Sequence, residues 1–312
     1  MRIAYVLQTF RALDQIRKLV SALKRDRTDN VIVVSHNGPP DELAALRAMV
    51  GVDHVIPSPG GRARFTVIDG LISTMRWLEN SEAGFDWLVV LSGQDYPIRP
   101  LPELATRLGE TEYDAHFYHF DALDPVQARS GPMSWPPREV KNRYLFRYAL
   151  LKPFTSPTER MIYKIPRHLL ELTDNYRLES GYGLCWGRKP DKTPFGPDFS
   201  LIGGSYWMTI NRRCVKALLD FVDERPDITA YFRDLIAPEE AFIQSVLVND
   251  KRLNISPTEL RYFDFMNSEH GRPKTFGGDD IEMLRESGCY FARKFDETEN
   301  PGILELVDSK LL

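Results

Sequence analysis

A chain of 312 residues, 43% of them apolar, is long enough to bury a core as one large domain or two modest ones. Its formal charge of −4 carries no overall basic excess, so the totals do not point to nucleic acid or an anionic membrane. No run approaches the roughly 18 apolar residues that span a bilayer, and MRIAYVLQTF enters a strand pattern without a signal-peptide layout, so a cytoplasmic protein with no membrane span is expected.

The run RIAYVLQTF leads into Leu13, Ile16, Leu19, Val20 and Leu23 at helical spacing, and VIVVSH then returns to a continuous apolar run, giving β-α-β. A helical segment over 41–50, the short HVIPS, a helix carrying Val67, Leu71, Ile72, Met75 and Leu78, and FDWLVVLSG continue the alternation. This order predicts a mainly parallel, doubly wound sheet with ligands at the carboxyl ends of its strands, so residues 1–120 read as a nucleotide-binding half. From 121 to 200 the pattern dissolves into Pro, aromatics and Arg, including SWPPREVKNRYLFRYALLKPF. The cations there form either a solvated face or an acceptor lining. Beyond 200, FSLIGGSYWMTI reads as a strand and NRRCVKALLDFVDE as a helix. APEEAFIQSVLVND reads as a second helix with Pro238 in its first turn. With no internal repeat, the chain is expected to be one domain over 1–312, its last part, 201–312, completing the site. Cys185, Cys214 and Cys289 lie far apart without C-x-x-C spacing and read as structural thiols.

Four stretches could carry chemistry. LSGQDYPI (91–98) follows the most apolar strand, where Asp95 either caps a following helix or faces a ligand. The glutamates of APEE (237–240) either complement a helix dipole or take a proton from a hydroxyl. HGRPKTFGGDD (270–280) brings Arg272 and Lys274 before a glycine turn. In CYFARKF (289–295), strand alternation puts Lys294 on one face and Arg293 on the other, each needing a buried carboxylate or a bound anion. No Asp-x-Asp occurs to hold a metal on a diphosphate; Glu112 and Asp114 have a similar spacing but follow RLGET rather than an apolar strand. His116 and His119 face opposite ways in an extended segment.

Taken in order, LSGQDYPI, GGSYWMTI, APEE, LRYFDF and FARKFD resemble the successive motifs of the core 2/I-branching β-1,6-N-acetylglucosaminyltransferase family, which also contains peptide O-xylosyltransferases. The similarity covers most of the chain except 121–200, and the scattered cysteines suggest a compact bacterial or viral member. The resemblance implies a GT-A-type glycosyltransferase fold, α/β with a Rossmann-like N-terminal half, acting without a metal or other cofactor. It implies an inverting transfer of N-acetylglucosamine, xylose or glucose from a UDP-sugar to an acceptor hydroxyl, with a β-linkage. The acceptor class stays open among glycan, peptide, small molecule and modified nucleic acid. Carried over residue by residue, the catalytic base is Glu240 with Glu239 beside it, and the diphosphate cations are Arg272 and Lys294. Gly-Ser-x-Trp becomes Gly204, Ser205 and Trp207, and the acceptor-side aromatic is Phe263 or Phe265. Asp95 and Ser205 would position donor or acceptor, and His36-Asn37 stands where the family often has an Asp near the uridine. Arg293 would serve packing or an internal ion pair. The rival readings are a metal-dependent nucleotidyltransferase of similar fold and a catalytically silent carbohydrate-binding protein.

Overall fold

The computed structural model describes residues 1–130, 135–153, 156–265 and 273–312. Its first half alternates as the pattern requires: β1 (Ile3–Thr9), α1 (Leu13–Lys24), β2 (Val31–His36), α2 (Pro40–Arg47), β3 (His54–Pro57), α3 (Thr66–Asn80) and β4 (Trp87–Ser92). The strands β1, β2 and β4 are unbroken apolar runs because helices cover both faces of the sheet. Ala4, Val6, Val33 and Val90 pack with Leu71 and Met75 of α3 on one side. Tyr5, Leu7, Val34 and Leu91 pack with Ile16 and Leu19 of α1 on the other. Each such aliphatic side chain contributes about 1.5–3 kcal/mol by leaving water.

The chain then forms β5 (Asp95–Pro97), α4 (Leu101–Glu110), β6 (Ala115–His116) and β7 (His119–Asp121). The segment expected to be irregular folds as α5 (Pro137–Tyr144), β8 (Arg147–Lys152), α6 (Pro157–Ile162), α7 (Lys164–Glu171), β9 (Tyr176–Glu179) and β10 (Leu184–Arg188), with β8, β10 and β9 in one antiparallel sheet. The last part contains β11 (Ile202–Gly204), β12 (Thr209–Asn211), α8 (Arg212–Glu224), α9 (Pro226–Arg233), α10 (Phe242–Asn249), β13 (Ile255–Ser256), β14 (Arg261–Phe263), α11 (Ile281–Glu286), β15 (Phe291–Arg293) and α12 (Ile303–Leu311).

The central sheet has seven strands in the order β13-β6-β12-β4-β1-β2-β3. From β3 to β4 all neighbours are parallel; β12 runs antiparallel to both β4 and β6, and β13 parallel to β6. The fold is therefore α/β with a mainly parallel central sheet and a Rossmann-like first half. A smaller sheet, β14-β15-β5, holds the end of CYFARKF between two neighbours. No helix among the described residues is long and apolar enough to cross a membrane.

Three local expectations change. FSLIGGSYWMTI is two strands, because the chain leaves the ladder at Ser205: β11 pairs with β7, and β12 inserts between β4 and β6. Gly204 permits this junction, since a Cβ there would lie 2.1 Å from the Tyr118 carbonyl oxygen. The APEE stretch is a separate 3-10 turn, Pro238–Glu240, ahead of α10 rather than its first turn. Ala237 sits at φ 51° before that turn, its N–H bonded to the Ala63 carbonyl (3.2 Å) and its carbonyl accepting from Tyr144 Oη (3.1 Å). Finally, Asp95 lies in a strand and caps no helix.

Candidate active site

The parallel strands β1, β2 and β4 end side by side, and a cavity of about 610 Å³ opens at their carboxyl ends, within the size range of small-molecule sites. Thr9, Ser35 and Ser92, each at or next to the last residue of its strand, line its floor. One wall is the loop carrying Gly60, Gly61 and Arg62 together with Asn37. Gly60 has φ +63°, and a Cβ on it would lie 2.0 Å from Asn37 Nδ2, so only glycine lets the loop close against that amide. The opposite wall holds Ser205, Tyr206, Trp207, Phe263 and Phe265, the two phenylalanines edge to face at 5.2 Å.

His36 is not part of this lining. Its side chain is fully buried, with Nδ1 2.7 Å from Thr9 Oγ1 and Nε2 2.8 Å from Glu42 Oε2. It ties β1, β2 and α2 together, while its neighbours Ser35 and Asn37 face the cavity. The expectation that His36 would meet the donor is corrected by that strand alternation.

Asp95 is likewise corrected from a ligand contact to a support. It is 1% exposed and accepts from the Ser92 N–H at 2.6 Å. Arg261 Nε lies 2.6 Å from Oδ1, and Arg293 Nη1 3.3 Å from Oδ2. Arg293 also donates to Ser92 Oγ (2.6 Å) and stacks 4.4 Å from the Trp207 ring centroid. It reaches the cavity, but its charge is spent on a buried carboxylate, the internal ion pair expected of it. Burial pulls its pKa below the ordinary arginine value, and Asp95 opposes that pull.

Behind Ser205 lies a residue that sequence reasoning passed over. Ser205 Oγ donates to Glu259 Oε1 at 2.7 Å, while Oε2 of the same carboxyl is buried without a partner. Burial pushes Glu259 up to about 7, with Arg261 opposing. The signal was an acidic residue two positions before Arg261, directly ahead of LRYFDF.

Glu239 and Glu240 both line the cavity from the turn after Ala237. Gln244 Nε2 bonds the carbonyls of Ser205 (2.8 Å) and Glu239 (3.2 Å), fixing the turn against the Ser205 loop. Arg143 of α5 places Nη1 2.7 Å from Glu240 Oε2, pairs also with Glu139, and lies over Trp135 at 5.7 Å. The segment with no clean period thus supplies the cation that faces the candidate base. Burial raises the pKa of Glu240, and Arg143 holds it back. Glu239 has no such partner: Oε2 is buried and unpaired, and burial followed by the charge of Glu240 lifts it to about 8.

That split gives a stability test. With a folded pKa of about 8 against 4.5 for an ordinary Glu, the native state holds a proton that the unfolded chain releases. The resulting stabilisation is fully present below 4.5 and is lost as pH rises toward 8. Glu239→Gln removes this titration, so the difference in Tm, variant minus wild type, grows between pH 5 and pH 8. Thermal melts showing a constant difference would assign Glu239 an ordinary carboxyl.

Lys294 is half-buried and lies outside the cavity lining. Its charge acts on Asp296, which accepts from Arg11 Nη2 (2.9 Å) and Gln94 Nε2 (3.0 Å), two residues that do line the cavity. No ion pair of Lys294 occurs among the described residues. Arg272 lies outside the described residues, and Lys274 is paired with Asp280 at 2.6 Å. Among the described residues no group of three or more His, Cys, Asp or Glu is arranged to hold a metal ion.

No family profile and no curated protein sequence matches the chain. Among solved structures, mouse xyloside xylosyltransferase 1 in its apo form aligns over 94% of this chain and 97% of its own, at 11% identity and a TM-score of 0.38. A Bacillus anthracis protein named as a glucose-1-phosphate thymidylyltransferase, in complex with sucrose, aligns over 81% and 85%, at 12% identity and a TM-score of 0.34. Likenesses this loose leave the chemistry to the cavity itself.

Proposed function

We propose that the chain is an inverting, metal-independent glycosyltransferase that uses a UDP-sugar. The observation that carries this reading is the pair Glu239 and Glu240 on one turn of the cavity, one carboxyl paired with Arg143 and the other in no ion pair among the described residues. Carboxyls perturbed by burial and gathered in a cleft are a usual mark of acid–base work. Glu240, its carboxylate form favoured by Arg143 against the effect of burial, takes the proton of an acceptor hydroxyl as that oxygen attacks the anomeric carbon. The bond to the diphosphate breaks with its electron pair leaving on UDP, and a single displacement turns an α-linked donor into a β-linked product.

Lys294 and Arg272 are assigned the charge that develops on departing UDP, a position at which each cation is worth roughly 4 kcal/mol at about 4 Å and an effective dielectric near 20. Trp207, Phe263 and Phe265 offer apolar faces to sugar rings on the wall opposite Asn37. The wide cavity suits a nucleotide-sugar together with an acceptor hydroxyl, and the choice among N-acetylglucosamine, xylose and glucose follows from assay.

That assay measures UDP release from a panel of UDP-sugars without acceptor, in excess EDTA. One donor is expected to be hydrolysed slowly, at a rate that chelation leaves unchanged. Release lost on chelation and restored by manganese would sink the metal-free mechanism, and no release from any donor would sink the transferase reading.

A further inference from the structure

We propose that α6, α7 and the small sheet β8-β10-β9 form a docking face for an anionic lipid surface. The helices are amphipathic in the inverted sense. Tyr163, Arg167, Leu170 and Glu171 turn toward the protein, whereas Met161, Ile162, Ile165, Leu169 and Leu172 are each more than half exposed. Ile165, Leu169 and Leu172 follow helical spacing and form an apolar stripe along α7 to its C-cap, and Met161 and Ile162 end α6 just before it. Neither helix buries a single residue, yet α7 is held in place: Arg177 Nη1 donates to the carbonyls of Leu170 (3.3 Å) and Thr173 (2.8 Å), and Arg167 pairs with Glu179 at 3.4 Å. An ordered, outward-facing stripe of this kind marks an interaction surface.

Charge identifies the occupant. Between residues 138 and 192 there are twelve Lys and Arg against six Asp and Glu, in a chain whose formal charge is −4. Glu159, Glu171 and Glu179 are only partly exposed and each is ion-paired, to Lys152, Arg138 and Arg167 respectively, and Glu139 pairs with Arg143, which leaves Asp174 and Asp191 as the exposed acids. The cations Lys164, Arg188, Lys189 and Lys192 are exposed. Tyr176 and Trp186, their rings tilted against each other with centroids 5.4 Å apart on β9 and β10, are exposed on the same small sheet. Apolar stripe, basic flank and exposed aromatics together are the chemistry of an interfacial helix on anionic headgroups. A symmetric pair of copies through this face would bring one basic rim against another, which charge repulsion opposes. The acidity of the remaining chain hides this patch in the totals.

The test is co-sedimentation of the full chain with vesicles of phosphatidylcholine alone and of equal parts phosphatidylcholine and phosphatidylglycerol. Binding is expected to the anionic vesicles only and to weaken as salt rises. The exposed double substitution Ile165→Glu and Leu169→Glu is expected to cut binding about tenfold or more. Lys164→Gln and Lys189→Gln, which remove the charge but keep most of the side chain, are each expected to cut it about fivefold at low salt. Equal binding to both vesicle types, none to either, or no loss in the double variant would overturn the proposal. So would self-association in sedimentation velocity that the double variant abolishes while vesicles stay unbound, since the face would then belong to a second copy.

Discussion

Glu240→Gln is expected to lower turnover by about 100-fold or more, about 2.7 kcal/mol of transition-state stabilisation, while UDP affinity stays within about threefold. Glutamine keeps the shape of the side chain and can still bond Arg143, so the cavity stays formed, but it cannot accept a proton. Single-turnover rates and calorimetric UDP titration on the same preparation separate the two quantities. Near-normal turnover would move the base elsewhere, first to Glu239 on the same turn. The environment adds a pH signature. Only the carboxylate of Glu240 can act, so kcat/KM rises with pH through its pKa. Burial raises that pKa and Arg143 restrains it. Removing the restraint in Arg143→Gln therefore moves the acid limb to higher pH. An unmoved limb, with Glu240→Gln still inactive, would show that the ion pair positions the carboxylate without tuning it.

The strands β1, β2 and β4 were legible because both their faces are buried, which leaves a continuous apolar run as the sign of each. The same logic hid the break after Gly204. Tyr206 and Met208 remain in the core after the chain leaves the ladder, so the apolar signal continues where the strand does not. The inverted stripe of α7 has a helical period but points Arg167 and Glu171 inward, and burial cannot be read from a period alone. Within the site, Ser205, Trp207, Phe263, Phe265, Glu239 and Glu240 all reach one cavity. Arg143 carried no such signal, since it meets Glu240 across 97 positions and lies in a segment without a pattern. His36 and Asp95 sit at strand ends with their side chains buried rather than in the cavity lining. A strand end offers alternate side chains to ligand and to core, and one residue of register decides which.

Under the proposed mechanism, charge balance more than proximity selects the cation that would meet the diphosphate. Arg293 touches the cavity, yet Asp95, Ser92 and Trp207 already occupy its guanidinium. Removing it leaves Asp95 buried with only Arg261, a loss of about 3–5 kcal/mol typical of breaking a buried pair. Lys294, one residue on, acts on Asp296 near Arg11 and Gln94 at the cavity edge. Lys294→Ala is therefore expected to weaken UDP binding about tenfold or more while leaving uridine binding nearly unchanged, because only the diphosphate carries the charge it meets. Arg293→Ala is expected to lower Tm and, where still folded, to affect UDP and uridine alike. Calorimetric titration of wild type and both variants with the two ligands makes the comparison. Equal losses for UDP and uridine in Lys294→Ala, or a diphosphate-selective loss in Arg293→Ala, would transfer the role to Arg293, and its ion pair with Asp95 would then have to open when the donor binds.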